Sequence, residues 1–88
     1  KYFEKLNDRV LIHANCTVPE ELALVLYSAY PEYLPYSQIQ TSLERRSQPS
    51  ISKAWKKLWN EKRVHRDENG FKLTQPGFAY AQNILRQL

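Results

Sequence analysis

Apolar residues recur along this chain with two periods, and the change of period marks its organisation. Residues 2–14, YFEKLNDRVLIHA, set Tyr2, Phe3, Leu6, Val10 and Ala14 at helical spacing. This predicts an amphipathic helix as an N-terminal extension over residues 1–16, although RVLIHA alone also reads as a short strand. TVPEELALVLYSAYP opens with Thr17 followed three positions later by Glu20, a capping box. Pro19 suits a first helical turn, where its missing N–H has no intrahelical partner. Leu22, Val25, Leu26 and Ala29 then form a stripe, and Pro31 ends the helix near Tyr30. This is the most apolar helix and the expected centre of the core.

PEYLPY is a connector, and residues 27–36 hold four tyrosines, which suit either a packed collar or an interface. YSQIQTSLERR predicts a short helix over about 36–45, with Ile39 and Leu43 inward. SQPS breaks it. Ser47 is the candidate cap of a helix over about 49–61, and Pro49 falls in its first turn. Beyond that helix the period shortens. Val64 and Arg66, then Phe71 and Leu73, flank Asn69-Gly70, which predicts a hairpin over 63–74 closed by a type I′ turn. Thr74 then caps a last helix over 75–88, with Phe78, Ala81, Leu85 and Leu88 as its seam. The expected fold class is mainly α with a small β-hairpin, in one domain.

On a helical wheel, residues 49–61 divide sharply. Ile51, Ala54, Trp55 and Leu58 share one apolar sector, with Trp59 at its edge. Pro49, Lys53, Lys56 and Asn60 lie opposite, flanked by Ser50, Ser52 and Lys57. Charge sharpens this division. The whole chain is +4, yet residues 45–66 hold eight basic residues (Arg45, Arg46, Lys53, Lys56, Lys57, Lys62, Arg63, Arg66) against one acid, Glu61. The remaining positions carry five basic and eight acidic residues. A basic segment on an otherwise acidic chain is the electrostatic footprint of a polyanion partner; a solvated lysine face is the plainer alternative. A helix of 13 residues is about 20 Å long, enough to lie in a B-DNA major groove about 12 Å wide.

YSQIQTSLERRSQPSISKAWKKLWNEKRVHRDENGFKLTQPG resembles a winged helix-turn-helix domain of the kind found in small transcriptional regulators. The likeness spans residues 18–88 and rests on Ile39, the turn at 46–48, Ser50 and Ser52. It continues through Ile51, Ala54, Trp55, Leu58 and Val64, the hairpin, and Leu73-Thr74 with Gly77. It implies a helix-turn-helix and wing over 18–74, with residues 49–61 as recognition helix. It further implies that Gln48, Ser50, Ser52, Lys53, Lys56 and Lys57 face DNA, that Arg45 and Arg46 meet its backbone, and that Arg66, Asn69 and Lys72 reach it from the wing. The chain departs from the family at two positions. Lys62 stands where a glycine often ends the recognition helix, which implies a left-handed lysine or a different ending. Trp55 replaces the usual leucine, which implies a wider core or a partly exposed ring.

Other chemistry is sparse. His13 and Cys16 have ligand-like spacing, but no second pair accompanies them and a zinc site needs about four ligands. With two histidines, one cysteine and no phosphate-cradling glycine loop, neither catalysis nor a cofactor is expected. Glu20 and Glu21 read as cap and first-turn partners of the helix dipole. Uncharged runs such as Leu22–Pro31 fall far short of the roughly 20 residues of a membrane span, and no signal peptide is apparent. The single cysteine suits a reducing, intracellular setting (cytoplasm, nucleoid or nucleus). A start at Lys1 without any methionine suggests a piece of a longer protein. The expected partner is duplex DNA. A homodimer through the first and last helices, or contact with domains of a parent protein, is also open. A winged helix used only for protein contact is the main rival function, and RNA binding a weaker one, because it wants exposed aromatic platforms.

Overall fold

Local signals hold best where a helix begins. In the computed structural model, which describes residues 3–88, three helix starts are capped by the side chains the sequence offers. Helix α1 (Val18–Tyr27) carries the full capping box: the Glu20 N–H donates to Thr17 Oγ1, and the Thr17 N–H donates to the Glu20 carboxylate at 2.9 Å. Helix α3 (Gln48–Asn60) begins on Ser47, whose hydroxyl oxygen accepts the Ser50 N–H. Helix α4 (Gln75–Gln87) begins on Thr74, whose hydroxyl oxygen accepts the Gly77 N–H at 3.2 Å. The short helix α2 (Tyr36–Ser42) lies between α1 and α3. It stops before residue 45, and α1 stops at Tyr27 rather than Tyr30, each running on into turns.

The expected N-terminal helix does not form; the strand reading of RVLIHA is the one realised. Strands β1 (Phe3–Lys5) and β2 (Val10–Ile12) pair antiparallel, with Phe3 opposite Ile12 and Lys5 opposite Val10. Tyr2 lies outside the described residues. A period of two buries Val10 and Ile12 and leaves Leu6, which the helix needed inside, 48% exposed. β-Branched residues at 10 and 12 favour this outcome. Two three-residue strands are marginal alone, and tertiary partners hold them. The Val10 N–H donates to Ser42 Oγ at 2.8 Å, while that hydroxyl donates to the Gln38 carbonyl. Arg9 pairs with Glu44 at 2.6 Å, and Phe3 stacks on Tyr27.

Helix α1 is the core. Every residue from Glu21 to Leu26 is buried, and the helix packs on α2, α3, α4, β2 and β4. Of the α4 seam, Ala81 is buried and the Phe78 ring lies against Tyr27 and Tyr30, while Leu85 is half-buried and Leu88 exposed; Ile84, outside that seam, is buried as well. The tyrosine-rich connector thus divides. Tyr27 and Tyr30 join the core's edge, and Tyr33 and Tyr36 turn towards the second hairpin.

That hairpin is β3 (Val64–Asp67) with β4 (Gly70–Leu73), Val64 opposite Leu73 and Asp67 opposite Gly70. Its turn residues are Glu68 and Asn69, not Asn69 and Gly70, and the type I′ geometry is absent. Positive φ occurs at Gly70 (128°), not at Asn69. Asp67 Oδ1 accepts the Asn69 N–H at 2.7 Å and so stabilises this turn. Leu34 adds a third rung: its N–H and carbonyl exchange hydrogen bonds with Phe71 at 2.7 and 3.0 Å. Among the described residues no helix is long and apolar enough to cross a membrane.

Candidate nucleic-acid interface

Helix α3 is held by one face. Ile51, Ala54 and Leu58 are buried against α1, Trp55 is half-buried, and Trp59 is 53% exposed, as the wheel ordered them. Lys53 and Lys56 lie opposite, Ser52 flanks them, and Gln48 stands in the first turn towards the tryptophan edge; all four are exposed and none is bonded to another side chain among the described residues. Ser50 differs. It is half-buried, and its hydroxyl accepts a hydrogen bond from Ser47 at 2.8 Å, so it works within the cap.

The helix ends on a left-handed lysine. Lys62 has φ of 59°; its N–H donates to the Trp59 carbonyl at 3.0 Å, and the Arg63 N–H reaches back to the Leu58 carbonyl at 2.9 Å. These are the two bonds of a Schellman ending, a site where glycine avoids the steric cost that lysine bears. The ending also fixes the hairpin. Thr74 donates its hydroxyl to the Lys62 carbonyl at 2.7 Å and its N–H to the Arg63 carbonyl at 3.0 Å. Gly77 leaves room for that carbonyl, since a Cβ there would lie 1.9 Å from the Arg63 oxygen. Helix α3, the hairpin and the start of α4 therefore meet at one rigid joint.

The cations of residues 45–66 fall into two groups. Arg45 and Arg46, expected at a DNA backbone, instead clamp Glu21, each with a guanidinium nitrogen 2.8 Å from a carboxylate oxygen. Arg46 also donates to the Cys16 carbonyl at 3.0 Å. Glu21 is completely buried. It is more than a dipole partner of α1: it is the anchor of the α2–α3 turn. A buried carboxylate demands such partners, because an unpaired one costs several kcal/mol or more. Lys57 pairs with Glu61 at 2.9 Å, and Arg63 with Glu61 at 3.1 Å while lying 3.9 Å over the Tyr80 ring. Lys57 and Arg63 hold the Glu61 carboxyl below the usual carboxylate range, chiefly through the Lys57 hydrogen bond. Among the described residues Lys53, Lys56, Lys62 and Arg66 have no carboxylate within ion-pair distance.

The hairpin residues split between its two faces. Arg66 stands opposite Phe71 and faces the groove beside α3. Lys72 stands opposite His65 on the other face, its ammonium 5.2 Å from the Tyr33 ring centroid, so it does not share a surface with α3's lysines. Asn69 is exposed at the tip.

Between α3 and the hairpin runs a groove of about 750 Å³. Trp55 stacks on Phe71 with ring centroids 4.1 Å apart, and Tyr36 leans on both, at 6.3 and 5.7 Å. Trp59 stands at the edge of the apolar sector and its exposure follows from that position, whereas the stack on Trp55 depends on Phe71, which the hairpin brings from 16 positions beyond it.

Elsewhere, His13 Nε2 lies 2.8 Å from Glu4, and among the described residues no group of three or more His, Cys, Asp or Glu is placed to hold a metal ion. Burial, then the charges of Glu21 and Glu20, push the half-buried Cys16 thiol up. A thiol reacts as its thiolate, so Cys16 should alkylate with iodoacetamide at neutral pH more slowly in the folded chain than in urea. Equal rates would show the thiol to be open and unperturbed. Comparison of the chain with protein-family models, curated proteins and solved structures finds no match in any of the three.

Proposed function

We propose that this chain is a DNA-binding winged-helix module, acting in transcription regulation or as the DNA-binding part of a larger protein. In this reading α2 and α3 are the helix-turn-helix, α3 enters the major groove, and β3–β4 is the wing. The supporting observation is the exposed surface of α3. It offers Lys53 and Lys56 on the face turned away from the core, with Ser52 at its flank and Gln48 in the first turn, none with an internal side-chain partner among the described residues, beside the uncommitted Arg66. Glutamine suits an adenine edge, lysine a guanine edge or phosphate, and serine a phosphate oxygen.

The ion pairs within the chain limit the size of the effect. With Arg45, Arg46, Lys57 and Arg63 committed, about four cations remain to displace counterions. The logarithm of affinity should then fall against the logarithm of salt with a slope of about −3.6. Titration of fluorescent duplex DNA at several salt concentrations measures it. Lys53→Ala together with Lys56→Ala should reduce that slope by about 2 and weaken binding to every sequence. No binding to duplex at low salt would sink this reading. It would promote the rival, a winged helix serving protein contact, which draws on the exposed Trp59 and Tyr36.

A further inference from the structure

We infer that the groove between α3 and the β3–β4 hairpin takes unpaired nucleotides of DNA next to the duplex that α3 engages. The inference rests on the DNA-binding reading and extends it.

The argument begins with aromatic exposure. Trp59 is 53% and Tyr36 40% exposed, and they line the groove with Trp55 and Phe71. Large aromatics left in water on one contiguous concave surface mark a binding site more often than scattered apolar residues do. The volume of about 750 Å³ falls within the range of ligand-sized clefts, about 300–1,000 Å³. Paired DNA cannot use such a surface, because its base faces are already stacked on one another. An unpaired base can, since every base has a π-face to stack on an aromatic side chain.

The groove's polar residues favour a nucleotide over an apolar or proline-rich peptide. Lys56 belongs both to the groove and to the lysine face of α3, and Arg66 stands on the hairpin side. A strand leaving the duplex along α3 would carry its phosphates past both. Asn60, Asn69 and Glu68 also line the groove. An amide matches the adenine edge, and a carboxylate accepts the exocyclic amine of cytosine. Asp67 is partly occupied by the Asn69 N–H. A proline-rich segment would stack on the same rings but has no anion for Lys56 or Arg66.

The test compares the full chain's affinity for a blunt duplex and for the same duplex extended by a short unpaired deoxyadenosine tail. The tail should tighten binding about 5- to 150-fold, the range for stacking one base, and quench tryptophan fluorescence. Trp59→Ala should remove the gain and leave blunt-duplex affinity unchanged; Trp59→Phe should keep most of it. Position 59 is exposed, so both variants should melt like the parent. Equal affinity for blunt and tailed duplex overturns the inference while the reading of α3 stands. Trp59→Ala weakening both duplexes equally overturns it too, as does tighter binding of a ribose tail. Saturation by a proline-rich peptide with no response to the tail assigns the groove to protein. Trp59-dependent binding of the single strand without duplex binding keeps the groove and sinks the major-groove reading.

Discussion

Replacing Gly70 with alanine should cost about 2–6 kcal/mol and detach the β3–β4 hairpin from the body of the protein. Two effects combine there. Gly70 has φ of 128°, a region closed to other residues except under strain of about 1–3 kcal/mol. A Cβ at this position would also lie 2.2 Å from the Leu34 carbonyl oxygen and 2.7 Å from its carbon. The obstacle is backbone, so no rotamer change relieves it, and overpacking of that kind costs about 1–3 kcal/mol more. Relief requires Leu34 and Phe71 to part, which breaks the two hydrogen bonds joining them. Chains of this length are stable by roughly 0.05–0.15 kcal/mol per residue, or about 4–13 kcal/mol. The melting temperature should fall by about 15 °C or more. Because Trp55 stacks on Phe71, near-ultraviolet circular dichroism should change as well. Asn69→Ala should be nearly silent, since Asn69 is exposed and lacks positive φ. A Gly70→Ala variant that melts with the parent would show that the hairpin does not rest on Leu34.

Leu58→Ala should cost about 2–5 kcal/mol, the range for a fully enclosed leucine. Leu58 has no exposed surface, and its carbonyl also receives the Arg63 N–H that closes α3. The lost side chain opens a cavity in the α1–α3 contact, while the backbone carbonyl and its bond from Arg63 remain. Lys53→Ala and Lys56→Ala, one turn away on the other face, should each cost less than about 0.5 kcal/mol. Urea denaturation of the three variants measures the contrast. A Lys56→Ala loss equal to that of Leu58→Ala would mean that the two faces of α3 are assigned the wrong way round.

What could be read from the chain follows the range of the interactions involved. Thr17, Ser47 and Thr74 announce their helices because a cap acts within three residues. The burial of Ile51, Ala54 and Leu58 follows from period alone. The left-handed Lys62 was legible through resemblance, as the place where a glycine was missing. The first hairpin was not. Its three-residue strands are fixed by Ser42 and Tyr27, distant in sequence, and Phe3, Leu6 and Val10 fit a helical spacing equally well. Glu21 misled for a related reason. In the first turn of a helix a glutamate satisfies the dipole wherever it points, and its partners Arg45 and Arg46 lie 24 and 25 positions further on. Their pairing with Glu21 ties both arginines to the core, with Arg45 still exposed. The groove stayed hidden, although Trp59 stood at the edge of the apolar sector, because Phe71 is brought beside Trp55 only by the hairpin.

The two-sided construction of α3 bears on how such a protein can change over time. Gln48, Ser52, Lys53 and Lys56 bond to no other side chain among the described residues, whereas Ile51, Ala54 and Leu58 carry the packing. Mutations on the outward face leave the folding equilibrium close to where it was. Duplicated copies could therefore diverge in what they recognise one position at a time, every ancestor along the way remaining folded.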